Sequence, residues 1–323
     1  MLGMSEFDLI ARYFTRPDHS DPSVLLGVGD DCALLAPAVG VQAISSDMLV
    51  EGRHFLPDVD PRALGHKCLA VNLSDLAAMG AKPVGFTLAL SLPAIDEAWL
   101  AGFSEGLFKL ADLHRCALIG GDTTKGPRVI CITIFGELES STALRRDAAQ
   151  VGDDIWISGT LGDARLALAH RTGELHLDAD TLATAIVRMD RPTPRVELGM
   201  ALIGVAHAAI DISDGLSGDL GHILARSQVG ATLDIDALPA GIALRTQTTT
   251  LRRQFCVAGG DDYELCFTAS PTCRSEVLDA ARRSHTDVTR VGVIDQLPGL
   301  RLRDATGALT GLSFASFDHF TTP

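Results

Sequence analysis

The sequence predicts two domains of mixed helix and strand: an α+β first domain built on a four-stranded sheet, then an α/β second domain. Three observations support this. The chain has 323 residues, enough for two cores. Its composition, 46% hydrophobic and 5% aromatic, suits a folded α/β protein. Short apolar runs alternate with segments of helical period, punctuated by glycine and aspartate.

Taken in order, Ser5–Phe14 has a cap-like Ser5 and apolar residues at helical spacing. Val24–Gly29 and Cys32–Leu35 read as strands joined through Gly29-Asp30-Asp31. Val41–Ser45 reads as a strand ending at Ser45-Ser46-Asp47, followed by an irregular stretch 50–55. Pro61–Met79 predicts a helix, with proline in its first turn and Gly80 as its stop. Val84–Leu92 predicts a strand and Pro93–Ala111 an amphipathic helix. Cys116–Ile119 predicts a strand that halts at Gly120-Gly121 and presents Asp122, Thr123 and Thr124. Val129–Phe135 closes the first sheet. The polar stretch 140–150, with Arg145 and Arg146, sets the boundary between domains 1–139 and 140–323.

The second half opens with strand Ile155–Ser158 and the loop Gly159–Asp163, leading into helix Ala164–His170. Such a loop reads as a phosphate site or as an ordinary strand-to-helix turn. The proline-stiffened link Arg191–Arg195 leads into a helix through Ala206. Strand Ala208–Ser213 turns at Asp214-Gly215 into helix Ser217–Ser227, and Ala231–Ile235 is a further strand. A helix-and-loop connector at 241–255 precedes Gly259–Phe267, where Asp262 and Glu264 alternate with Tyr263 and Leu265. A helix and a strand follow within 271–295, and the tail Phe314–Phe320 holds three aromatics.

Five stretches combine aspartate with glycine or hydroxyl residues: GVGDD (27–31), SSDM (45–48), NLSD (72–75), LIGGDTT (118–124) and IDISDG (210–215). Carboxylates at strand ends suit hard cations bound through oxygen, and neighbouring glycines let a large anion approach the backbone. The pattern points to a polynuclear metal site handling phosphate. Asn72 and Asp75 share one helix face, which a cation would serve; a solvated face is the other reading. Among Asp211, Ser213 and Asp214, capping of the next helix by Ser213 or Asp214 explains one polar group but not all three.

With 41 acidic and 27 basic residues the formal net charge is −14, which excludes the clustered positive surface of a nucleic-acid binder. No apolar stretch reaches the roughly 20 residues of a membrane span. Seven cysteines without a C-x-x-C pair read as reduced thiols of a cytoplasmic protein.

GVGDDCALL, Ser46-Asp47, HFLPD, AVNLSDLAAMGA, LIGGDTT, RPTPR, AIDISDGL and GGDDYELCF, in this order, resemble the thiamine-monophosphate kinase family of the aminoimidazole ribonucleotide synthetase-like superfamily. The match runs from Glu6 to Phe320. The resemblance implies ATP-dependent phosphorylation of thiamine monophosphate, several Mg²⁺ ions, ATP held in a cleft between the domains, and a homodimer joined through the N-terminal sheets. It makes Asp30, Ser45, Ser46, Asp47, Asp75, Asp122, Asp211 and Asp214 metal positions. Gly121, Asp122, Arg146 and Ser213 become nucleotide contacts, and His54, Asp261 and Phe314 lie near the thiamine phosphate. Ser46 stands where threonine is usual, Asp261 where glutamate is usual, and Phe314 where tryptophan is common. Because the acceptor is itself an anionic phosphate, no general base is expected. Catalysis is expected from in-line positioning and charge neutralisation. A selenophosphate synthetase-like or carbamoyl-dehydrating enzyme, or a non-catalytic nucleotide-binding protein, is the alternative.

Overall fold

The computed structural model describes residues 6–16, 22–28, 32–38, 40–139, 142–312 and 314. Asp30 and the aromatic tail beyond Phe314 lie outside the described residues. Chain contacts divide the molecule into two units, residues 1–76 with 81–141 and residues 77–80 with 142–323.

The first unit contains α1 (Glu6–Tyr13), the hairpin β1 (Val24–Leu26) and β2 (Leu34–Leu35), β3 (Val41–Val50), α2 (Pro61–Met79), β4 (Lys82–Leu92), α3 (Glu97–His114), β5 (Ala117–Lys125) and β6 (Val129–Leu138). The last turn of α2 groups with the second unit. The main sheet has order β3-β6-β4-β5, antiparallel except for the β4–β5 pair. α2 and α3 pack in backbone contact: a side chain at Gly65 would meet the Phe103 carbonyl, and one at Gly106 the Arg62 carbonyl. One sheet face is covered by α2, while the other carries Ile44 and Met48, 60% and 57% exposed.

The helix Pro61–Met79 forms over the expected residues. Other boundaries move. β3 continues through Ser45-Ser46-Asp47 because every residue from Val41 to Val50 has a partner on β6. β5 runs through Gly120-Gly121 to Lys125 because its parallel pairing with β4 continues to Leu92. Glycine ends a strand only when pairing ends. At Gly121 (φ +153°) it is required by close approach, since a Cβ would lie 1.9 Å from the Leu88 carbonyl oxygen. α3 starts at Glu97 rather than Pro93, capped by Asp96, whose side chain accepts the Ala98 and Trp99 amides at 3.0 and 3.1 Å.

The second unit contains β7 (Asp154–Ser158), α4 (Asp163–Arg171), α5 (Ala179–Asp190), α6 (Val196–Ala201), β8 (Ala208–Asp211), α7 (Leu216–Ser227), β9 (Gly230–Asp234), α8 (Thr249–Ala258), β10 (Leu265–Ala269), α9 (Arg274–Arg283), β11 (Val288–Asp295) and β12 (Gly299–Arg303). Its six-stranded sheet has order β12-β9-β11-β7-β10-β8. α6 ends at Ala201, short of Ala206, and Gly204 beyond it takes φ +76°. α5, capped by Asp178, adds a helix between α4 and the Arg191–Arg195 link that the sequence pattern does not mark. β7 and β8 flank β10 antiparallel, so β7 and β8 end where β10 begins, with Ile157 opposite Cys266 and Asp211 opposite Leu265. The loops 159–163, 212–215 and 259–264 therefore gather at one end of the sheet.

Candidate active site

In the first unit, strand alternation decides which polar groups meet. Ser45 donates its hydroxyl to Asp75 on α2. Asp47, two residues on, shares that face. Ser46 points to the other face, where its hydroxyl reaches the Ile132 carbonyl at 3.1 Å and the Thr133 hydroxyl at 3.0 Å. The structure thus brings Ser45 to Asp75 and does not bring the Ser46 hydroxyl there. Asn72 is fully buried, which rules out a solvated face; its amide donates to the Cys68 carbonyl at 3.0 Å. Gly121 and Asp122 stand on β5 opposite Leu88 and Ala89, with Asp122 exposed. The Val50 amide donates to His54 Nδ1 at 3.0 Å, so a neutral ring carries its proton on Nε2, a donor suited to an anion.

In the second unit, the loops 212–215 and 259–264 are laced together by backbone hydrogen bonds. The Asp261 amide donates to the Ser213 carbonyl, the Tyr263 amide to Ile212, and the Ile212 amide to Glu264, each at 2.8 Å. Asp261 and Tyr263 adopt left-handed conformations (φ 66° and 50°), so the expected alternation of 262–265 fails; the strand begins only at Leu265. The Tyr263 hydroxyl donates to Asp261 at 3.2 Å. Asp219 accepts the Ser213 and Asp214 amides at 3.1 and 3.2 Å and holds that turn. Burial, then the charges of Asp211 and Asp214, push the Asp219 carboxyl up to about 7.

Glu264 is fully buried. It accepts both Arg195 nitrogens at 2.6 Å, Arg188 at 2.7 Å and the Ser158 hydroxyl at 2.6 Å. Arg146 is exposed, whereas neighbouring Arg145 is paired with Asp147. The Phe314 carbonyl accepts the Ser217 hydroxyl at 3.4 Å, and its ring packs on the core.

Sequence reasoning gave no role to Asp219, Arg188 or Ser158. Asp219 could have been found: it sits on the apolar stripe of α7, between Leu216 and Ile223, where an acid needs a partner. Arg188 could not, because its helix had not been recognised. Among the described residues no three His, Cys, Asp or Glu side chains converge to hold a metal ion on their own.

The chain matches the model "AIR synthase related protein, N-terminal domain" over residues 29–138 and the corresponding C-terminal domain model over 150–305. It is 45% identical to the thiamine-monophosphate kinase of Haemophilus influenzae, over 99% of both chains. A crystal structure of thiamine-monophosphate kinase from Stenotrophomonas maltophilia K279a is 47% identical with a TM-score of 0.83, covering 91% of this chain and 94% of that one. AaThiL complexed with AMPPCP and TMP is 28% identical with a TM-score of 0.76, over 91% and 92%. A hydrogenase maturation protein HypE in complex with ATP shares the fold at 22% identity, TM-score 0.79, over 97% of this chain and 96% of that one. With near-complete coverage on both sides and motifs in the same order, this chain belongs to the thiamine-monophosphate kinase family.

Proposed function

We infer that the protein transfers the γ-phosphoryl group of ATP to thiamine monophosphate, forming thiamine diphosphate. The end-to-end 45% identity to a thiamine-monophosphate kinase carries this reading, and the relative complexed with AMPPCP and TMP supports it.

The proposed Mg²⁺ positions are Asp30, Ser45, Asp47, Asp75 and Asp122 in the N-terminal domain (1–139), with Asp211 and Asp214 in the C-terminal domain (140–323). The donor set fits: it is all oxygen, as a hard cation prefers, and Asp211 and Asp214 stand close enough together that both charges act on Asp219. Bound there, Mg²⁺ supplies charge neutralisation for two phosphate-bearing substrates. Ser46, whose hydroxyl faces away, is assigned to the strand instead. Gly121, Asp122, Ser213 and the exposed Arg146 are the proposed nucleotide contacts. His54 donates from Nε2 to the acceptor phosphate, and Asp261 and Phe314 are placed at the thiamine moiety. The acceptor oxygen is already anionic, so no residue is assigned as general base.

We further propose a homodimer, with the sheet face bearing Ile44 and Met48 covered by a second copy. No described helix is long and apolar enough to cross a membrane. The free cysteines fit a cytoplasmic enzyme.

ADP release measured with Mg²⁺ and ATP should require thiamine monophosphate. Chelation by EDTA should stop it and added Mg²⁺ restore it. Asp122→Asn should lower turnover about 10- to 100-fold, the usual scale for weakening a metal site. Thiamine should be a far poorer acceptor, since its hydroxyl needs a base. Turnover indifferent to thiamine monophosphate would refute the assignment.

A further inference from the structure

We propose that Asp262 is a positioning residue: through Gly162 it fastens the loop 159–163 to the loop 259–264, and so fixes where Asp261 presents its carboxylate to the acceptor. The link to the acceptor rests on the proposed role of Asp261.

Asp262 Oδ1 accepts the Gly162 amide at 2.8 Å. The residue is 2% exposed, and among the described residues Oδ2 finds no hydrogen-bond partner. Gly162 is itself held. It adopts φ 86°, and a Cβ there would lie 2.5 Å from the Leu244 side chain. The far side of this loop is also anchored, Leu161 donating to the Pro239 carbonyl and accepting from Gly241. Asp262 therefore ties its own loop to a braced one.

On either side of it, Asp261 and Tyr263 take backbone conformations that ordinary side chains avoid, each costing on the order of 1 kcal/mol. Such strain persists only where the surroundings over-determine it. The amides of both residues are bonded to 212–213, and the Asp262 side chain supplies a third fixed point, on a different loop. Without it, the chain between Gly260 and Glu264 can relax, and Asp261 moves.

The electrostatics suit a positioning role better than a charged one. Burial, opposed by the Gly162 hydrogen bond and by Arg188 from α5 and reinforced by Glu264 and Asp261, pushes the carboxyl well above its ordinary range. Asp163 of α4, with Cys256 and Arg252 of α8, also lie in this neighbourhood. A protonated acid still accepts from Gly162, and asparagine copies it. A raised folded-state value means that the stabilisation tied to this proton is complete below the unfolded carboxyl's range and is lost as pH rises toward the folded value.

The test compares Asp262→Asn, Asp262→Ala and Asp261→Ala in the full-length enzyme. Asp262→Asn should keep kcat and both KM values near wild type, and its Tm advantage over wild type should grow as pH rises above the ordinary carboxyl range. Asp262→Ala should raise KM for thiamine monophosphate by about tenfold or more, the scale of a lost buried hydrogen bond, with kcat and KM for ATP little changed. Hydrogen–deuterium exchange in the alanine variant should quicken in both 159–163 and 259–264. If the asparagine variant is as impaired as alanine, or if exchange in the two loops is unchanged, the clamp is wrong. If Asp261→Ala leaves KM for thiamine monophosphate untouched while exchange responds as stated, the clamp stands and the acceptor role of Asp261 fails.

Discussion

Replacing Glu264 with alanine is expected to destabilise the protein by about 3–5 kcal/mol, the range seen when one partner of a buried ion pair is removed. The carboxylate is fully buried and serves Arg195 twice, Arg188 once and Ser158 once. Alanine would leave two guanidinium groups facing each other without the carboxylate they share. It would also undo a junction of four segments, since Ser158 ends β7, Arg188 lies on α5, Arg195 precedes α6 and Glu264 precedes β10. The Ser158 hydroxyl also accepts the Leu265 amide at 2.8 Å, so the start of β10 loosens with it. Thermal unfolding should fall by on the order of 10 °C. Glu264→Gln should fall in between, because it keeps an acceptor oxygen and loses the charge. A change in Tm below about 2 °C for the alanine variant would show that the arginines re-pair elsewhere.

Gly121→Ala is expected to harm both stability and activity. The added carbon would sit 1.9 Å from the Leu88 carbonyl oxygen, a backbone atom inside a paired strand, and φ +153° is disfavoured for alanine. Relief requires β5 to separate from β4 near that pair. Strain and overpacking together should cost about 2–5 kcal/mol. Activity should fall further than stability implies, because Asp122 follows directly. Misplacement of a catalytic group by ~1 Å can cost about 100-fold in rate. Urea unfolding alongside kcat/KM would read both effects; a stable variant with normal kcat/KM would show that the strand tolerates the shift.

Much of the fold was legible from local signals. α2 could be bounded because Pro61, the apolar residues and Gly80 all lie within the helix or at its end. The loop glycines and aspartates of the second unit marked one end of its sheet. Strand lengths were less legible. β3 and β5 looked finished at Ser45 and Gly120, yet their partners β6 and β4 carry them on to Val50 and Lys125. The same continuation decided that Ser45 meets Asp75 while Ser46 does not. The site's support was least legible: Arg188 on an unrecognised helix and Asp219 on an apolar stripe acquire meaning only from the groups they reach.

By itself the sequence determined the family, the acidic chemistry of the candidate site and the helices whose period and caps lie within a few residues. Tertiary structure alone decided where strands end, which face each polar side chain takes, and how Glu264, Asp262 and Asp219 are satisfied. The reason is range. Capping and helical period are settled by neighbours in sequence, whereas strand pairing and the satisfaction of buried charge depend on partners dozens of residues away.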